Sequence, residues 1–207
     1  MAKIIFLENE DLNKTAFLNW RTKEYDSIGN MIALAEGFIS SAIELAKECI
    51  NNNSDKKADI LIFPILTNVN HGIELYLKSL IWTLNKLTGS KYKMEGSHNI
   101  QQMFQTARAK IKSYKDEEWL KHFDEQNYSL AEYINELFTL IATDKKKDNM
   151  DFSRYPISNN FENHFYVDSI DNVKIDLENF VERFKRILEV LDETTSYFFY
   201  EELKGEK

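Results

Sequence analysis

From Asp59 to Leu87 the chain runs almost without interruption through apolar residues, and this stretch limits the fold more than any other. Ile60, Leu61, Ile62, Phe63, Ile65, Leu66, Val69, Ile73, Leu75, Leu77, Leu80, Ile81, Trp82 and Leu84 fall on nearly every face of a helix. Such a helix is expected to be surrounded by protein. One polar stripe crosses it. His71, Glu74 and Lys78 stand at i, i+3 and i+7, on one side of the helix, with Asn70 close by. Ionisable groups on a buried helix are costly unless paired, so this stripe requires partners or a purpose.

The 207 residues suit one domain with a real core, expected as an extension over 1–22 and a bundle over 25–203. Six Gly and two Pro are too few for a many-turned β fold and favour long uninterrupted helices. The formal charge of -8 argues against non-specific nucleic-acid binding through a basic surface and suits a basic protein partner. Cys49 is the only cysteine, which excludes an intramolecular disulfide and a Cys-rich zinc site. The apolar run at the N-terminus is too short for a signal peptide. Residues 60–87 have the length of a membrane span, but Asn68, Asn70, His71, Glu74, Lys78 and Asn85 interrupt them. A soluble, cytoplasmic chain with no membrane contact is the expectation.

Helical periodicity predicts a first helix from about Tyr25 to Ile50, with Ile28, Met31, Ile32, Ala35, Phe38, Ile39, Ala42 and Ala46 along one face. The central helix follows, with Pro64 starting or kinking it and Gly89 ending it. A third helix spans Asn99 to Tyr114, capped by Ser97, and a short one falls within 116–128. Leu130 to Ala142 and Val173 to Leu203 complete the set, the last with Asp171 as its cap. Residues 1–22 suggest a short strand followed by a turn or short helix, and Lys145, Lys146 and Lys147 lie in a solvated break. The expected fold is all-α, an up-and-down bundle of four to five long helices.

Two readings of His71, Glu74 and Lys78 stand side by side. Glu74 and Lys78 form an i, i+4 ion pair, worth about 0.3–0.5 kcal/mol when exposed, with His71 a satisfied core residue. Alternatively the stripe faces a cleft where a histidine moves protons near neutral pH. His71 and Glu74 reverse the Glu-x-x-His order of di-iron bundles, and zinc would need a third ligand such as His98 that the spacing does not demand. No metal and no cofactor are expected. His98, in Ser97-His-Asn-Ile100, opens the third helix, where it is either an incidental residue beside a helix cap or, with the free backbone amides, part of a place that suits an anion. Arg154, beside Tyr155 in Phe152-Ser-Arg-Tyr-Pro156, either holds a phosphate or carboxylate or ties its loop to the bundle, for instance through Glu74. No Gly-rich phosphate loop or nucleophile elbow is present.

Taken together, His71-Gly-Ile-Glu-Leu-Tyr-Leu-Lys78, Ser97-His-Asn-Ile100 and Phe152-Ser-Arg-Tyr-Pro156 resemble the H-x-x-E-x-x-x-K, G/S-H-x-L/I and F-x-R-Y-P pattern of bacterial members of the HEPN superfamily. That resemblance spans about Tyr25 to Leu191 and implies a small helical bundle, often a homodimer, from defence and toxin–antitoxin systems. Many such proteins are metal-independent endoribonucleases carrying an Arg followed within a few residues by a His. This chain departs from that signature, since nine residues separate Arg154 from His164.

The resemblance therefore implies a non-catalytic binding module for a protein, RNA or nucleotide, with an immunity or antitoxin role towards a basic toxin or cognate component. Asn70, His71, Glu74, Lys78, His98, Arg154 and Tyr155 would line its site. The alternative is an unorthodox ribonuclease using His71 or His98 for proton transfer, Glu74 to orient them and Arg154 to hold the phosphate.

Overall fold

The computed structural model describes residues 4–19, 21–92, 98–142, 150–158 and 160–205. Ser97 as a cap and the Lys145–Lys147 run lie outside these residues. The described chain is all-α. Its helices are α1 (Ser27–Asn51), α2 (Ala58–Leu87), α3 (Ile100–Tyr114), α4 (Glu117–Gln126), α5 (Tyr128–Ile141) and α6 (Leu177–Ser196). Among the described residues there is no strand, only an isolated bridge between Ile157 and Asn163. The strand expected near the N-terminus is absent among the described residues there, where the chain bends into a 3-10 turn at Leu12–Lys14, in keeping with the turn or short helix expected after it.

Helix α1 starts later than its periodicity suggests because Asp26 is its cap, accepting a hydrogen bond from the Gly29 amide at 3.1 Å. Tyr25, just outside, has a left-handed φ of 63° and cannot belong to the helix. Ile28, Ile32, Ala35, Ile39, Ala42, Ile43 and Ala46 are buried on one face, against α2. The two helices approach closely at Gly72, where an added Cβ would stand 2.5 Å from Ile39 Cγ1 and 3.0 Å from the Ala35 carbonyl oxygen.

Helix α2 is the axis of the bundle, touching α1, α3, α6 and the Met150–Ser153 turn. Two expectations need correction. Pro64 does not start the regular helix; it lies inside it, six positions after Ala58. Nor is α2 enclosed throughout. Ile60 is 74% exposed and Leu61, Ile62 and Phe63 are half-buried, whereas Ile73, Tyr76, Leu77, Leu80, Ile81 and Leu84 are sealed. The apolar run is longer than the core it fills. By length and composition α1 and α2 both qualify as membrane spans, and both are also core helices here.

Cap positions also shift. Asn99 caps α3, accepting from the Gln102 amide at 2.9 Å. Asp176, not Asp171, caps α6, accepting from the amides of Glu178 and Asn179. After Ser196 the helix widens into a π segment, Tyr197–Leu203. Glu202 anchors that segment to α3: its carboxylate accepts from Lys115 Nζ at 2.6 Å, from Tyr114 Oη at 2.8 Å and from Tyr197 Oη. Trp119 of α4 stacks on Tyr197 with ring centres 5.1 Å apart.

Candidate functional site

The polar stripe on α2 closes around Glu74. Its side chain is only 10% exposed, and it faces the segment just before α3. Lys78 Nζ, one turn along, donates to Oε1 at 2.6 Å. His98 Nδ1 lies 2.9 Å from the same oxygen, although 24 positions away in sequence. His71 Nδ1 sits 3.9 Å from Oε2. Burial alone would raise the Glu74 pKa; the nearby His71, the hydrogen bond and charge of Lys78, and the hydrogen bond from His98 reverse it and hold the carboxyl at about 2. Glu74 is thus a fixed anion.

That anion orients the His98 imidazole and lies 3.9 Å from that of His71. Donation from Nδ1 to a carboxylate leaves Nε2 as the lone-pair nitrogen of a neutral ring. The His98 side chain is 77% exposed and the His71 side chain 44% exposed, so both rings reach solvent from a buried base. Phe38 of α1 meets the His71 ring edge-to-face at 4.5 Å, fixing it from the other side. The ion pair with Lys78 and the orienting of His98 coexist; neither reading of the stripe excludes the other.

Asn70 is held differently. It is 6% exposed, and its Oδ1 accepts from Tyr133 Oη of α5 at 2.7 Å. Its amide nitrogen is buried with no hydrogen-bond partner among the described residues. Asn70 therefore joins α2 to α5 beneath the site and does not line an open surface.

Arg154 does not pair with Glu74. Its guanidinium bonds Asp151, one turn back in its own loop. The neighbouring Ser153 is what ties this loop to α2, through a 3.0 Å hydrogen bond from Thr67 Oγ1. Thr67 lies one turn before His71, about 6 Å along the helix axis, so the loop approaches the stripe from its N-terminal side. Tyr155 is 57% exposed, and its carbonyl accepts from Tyr166 Oη at 3.2 Å. The structure thus brings His71, Glu74, Lys78 and His98 together, with Asn70 below and Arg154 and Tyr155 on a bordering loop.

Three contributors escaped the sequence reading: Phe38, Thr67 and Tyr133. Thr67 extends the i, i+4 stripe and was legible as such. Phe38 and Tyr133 lie on apolar faces, where nothing distinguishes a core ring from one that supports a polar group. Among the described residues, no three His, Cys, Asp or Glu side chains are placed to share a metal ion.

The arrangement can offer its outward imidazoles as hydrogen-bonding groups to a partner, and it can exchange protons through them. Compared with family models, curated proteins and solved structures, the chain matches none.

Proposed function

We propose that this chain is a non-catalytic, HEPN-like helical binding module of a bacterial or phage conflict system, acting in the cytoplasm on a basic protein partner. The observation that carries this reading is the commitment of Glu74 to a network of cations. Lys78 and His98 share one of its oxygens at hydrogen-bond distance and His71 stands 3.9 Å from the other, which suits a carboxylate that positions its neighbours. What the site offers outward is two positioned imidazoles, a recognition surface. The excess of 34 acidic over 26 basic residues steers towards a basic partner, as an immunity or antitoxin protein requires. The HEPN assignment rests on the three motifs, two of which contribute residues to this one site.

A second reading, a metal-independent endoribonuclease, is favoured by one feature: a single carboxylate faces the Nδ1 atoms of both His71 and His98, as an acid–base pair would need. Against it, Arg154 is engaged by Asp151 and not held towards the histidines.

Incubation of the purified chain with structured RNA in EDTA separates the two. Intact RNA is the expected result. Cleavage by the wild type that disappears in both His71→Ala and His98→Ala, with melting behaviour preserved, overturns the binding reading and establishes the nuclease.

A further inference from the structure

Beyond Ser196 the chain keeps coiling but leaves the α register over Tyr197–Leu203. The Lys204 amide donates to the Phe199 carbonyl at 3.2 Å, reaching back five residues where an α-helix reaches back four. Such π turns are rare, are mostly limited to one turn and are frequent at functional sites. An α-helical alternative exists for the same residues. Adopting it would turn the end of the segment by about 100°, the angle of one helical residue. Contacts from outside the segment must therefore select the π register.

Two clamps on different parts of the fold do so. At the α3–α4 corner, Glu202 accepts from Lys115 Nζ at 2.6 Å, from Tyr114 Oη at 2.8 Å and from Tyr197 Oη. Lys115 also lies 5.3 Å from the centres of the Tyr114 and Trp119 rings and 5.5 Å from that of Tyr197. At the start of α1, Lys204 Nζ donates to Asp26 Oδ2 at 2.9 Å. Asp26 is the α1 cap, and its other carboxylate oxygen accepts from the Gly29 amide at 3.1 Å. The end of the π segment thus braces the residue that begins α1.

A turn of about 100° would carry the Glu202 carboxylate off Lys115 and the Lys204 ammonium off Asp26 in one movement. The two clamps depend on one register. The regions they join have little other connection, since α1 packs mainly on α2 and α6.

We propose that the π segment is a two-register device that couples the α3–α4 corner to the first turn of α1. With Glu202 clamped on Lys115, the π register holds and Lys204 braces the Asp26 cap. With that clamp released, the segment relaxes to the α register, Lys204 leaves Asp26, and the first turn of α1 opens.

Carbon-13 backbone shifts and amide hydrogen exchange of the full chain test this, with Glu202→Gln and Lys115→Met releasing the clamp from either side. In both variants the shifts of residues 197–203 move to α-helical values. The Gly29 and Asn30 amides, both bonded to Asp26, exchange about threefold faster or more relative to Leu80 and Ile81 in the α2 core. That ratio removes any change in global stability. Lys204→Met speeds the same two amides while residues 197–203 keep their shifts. Arg108→Met, which breaks the α3–α4 pair with Asp124 and leaves the Glu202 clamp intact, changes neither reading. Unmoved shifts over 197–203 in both clamp variants overturn the proposal. So does unaltered relative exchange at Gly29 and Asn30, or an equal acceleration in Arg108→Met.

Discussion

His98 Nδ1 and Glu74 Oε1 lie 2.9 Å apart across the junction of α2 and α3, joining an exposed ring to a buried anion. The contact is stable because Glu74 has already been drawn into its charged form by Lys78, from within the same helix.

Linkage makes this visible in the pH dependence of folding. The folded-state pKa of Glu74, about 2, is below its ordinary value of 4.5, so its contribution is present above about pH 4.5 and lost as pH falls towards 2. Glu202 behaves alike. Hydrogen bonds from Lys115 and Tyr197 lead, burial opposes them, and its carboxyl is also held at about 2. Urea unfolding measured from pH 7 to pH 2 shows stability falling through this window. In Glu74→Gln the protein is weaker by about 2–3 kcal/mol at pH 7, and the difference closes near pH 2. A difference that persists unchanged to pH 2 contradicts the ionised state assigned here.

His98→Ala separates recognition from stability. The ring is 77% exposed, so its loss costs less than about 1 kcal/mol in chemical denaturation. Partner binding, in contrast, weakens substantially. The geometry also fixes the His98 tautomer: nitrogen-15 correlation spectra of its neutral form show the proton on Nδ1.

Two helical glycines have opposite effects. At Gly72 a Cβ meets Ile39 Cγ1 and the Ala35 carbonyl, neither of which yields without moving α1. Gly72→Ala therefore destabilises by about 2 kcal/mol, overpacking outweighing the gain in helix propensity. At Gly37 nothing lies within 4 Å of the added carbon, and Gly37→Ala stabilises by about 0.5–1 kcal/mol. Thermal melts of the two variants shift in opposite directions.

Tyr133→Phe removes the hydrogen bond to Asn70 Oδ1 and leaves a buried amide without a partner among the described residues, at a cost of about 1–2 kcal/mol. Adding Asn70→Leu recovers most of that loss, because the orphaned polar group goes with it. A double-mutant cycle by urea denaturation reads the coupling directly.

The all-α class and the identity of α2 as the central helix were legible from periodicity and from the scarcity of Gly and Pro. So was the polar stripe, since residues three and four apart must share a helix face. Boundaries were less legible. Asp171 and Asp176 are chemically equal as caps, and only the packing of α6 selects Asp176. Ile60 is as apolar as Ile73, yet one is 74% exposed and the other sealed, because neighbouring helices cover only part of α2.

Local sequence by itself determined which residues stand together on α2: His71, Glu74 and Lys78 are neighbours by helical geometry alone. Tertiary structure decided what they meet. Bringing His98 onto Glu74, Tyr133 onto Asn70 and Ser153 onto Thr67 requires contacts between positions far apart in the chain. Giving Arg154 to Asp151 depends on how its loop turns. Side-chain periodicity is a property of one helix, whereas the partner of a buried polar group is set by how helices pack against one another.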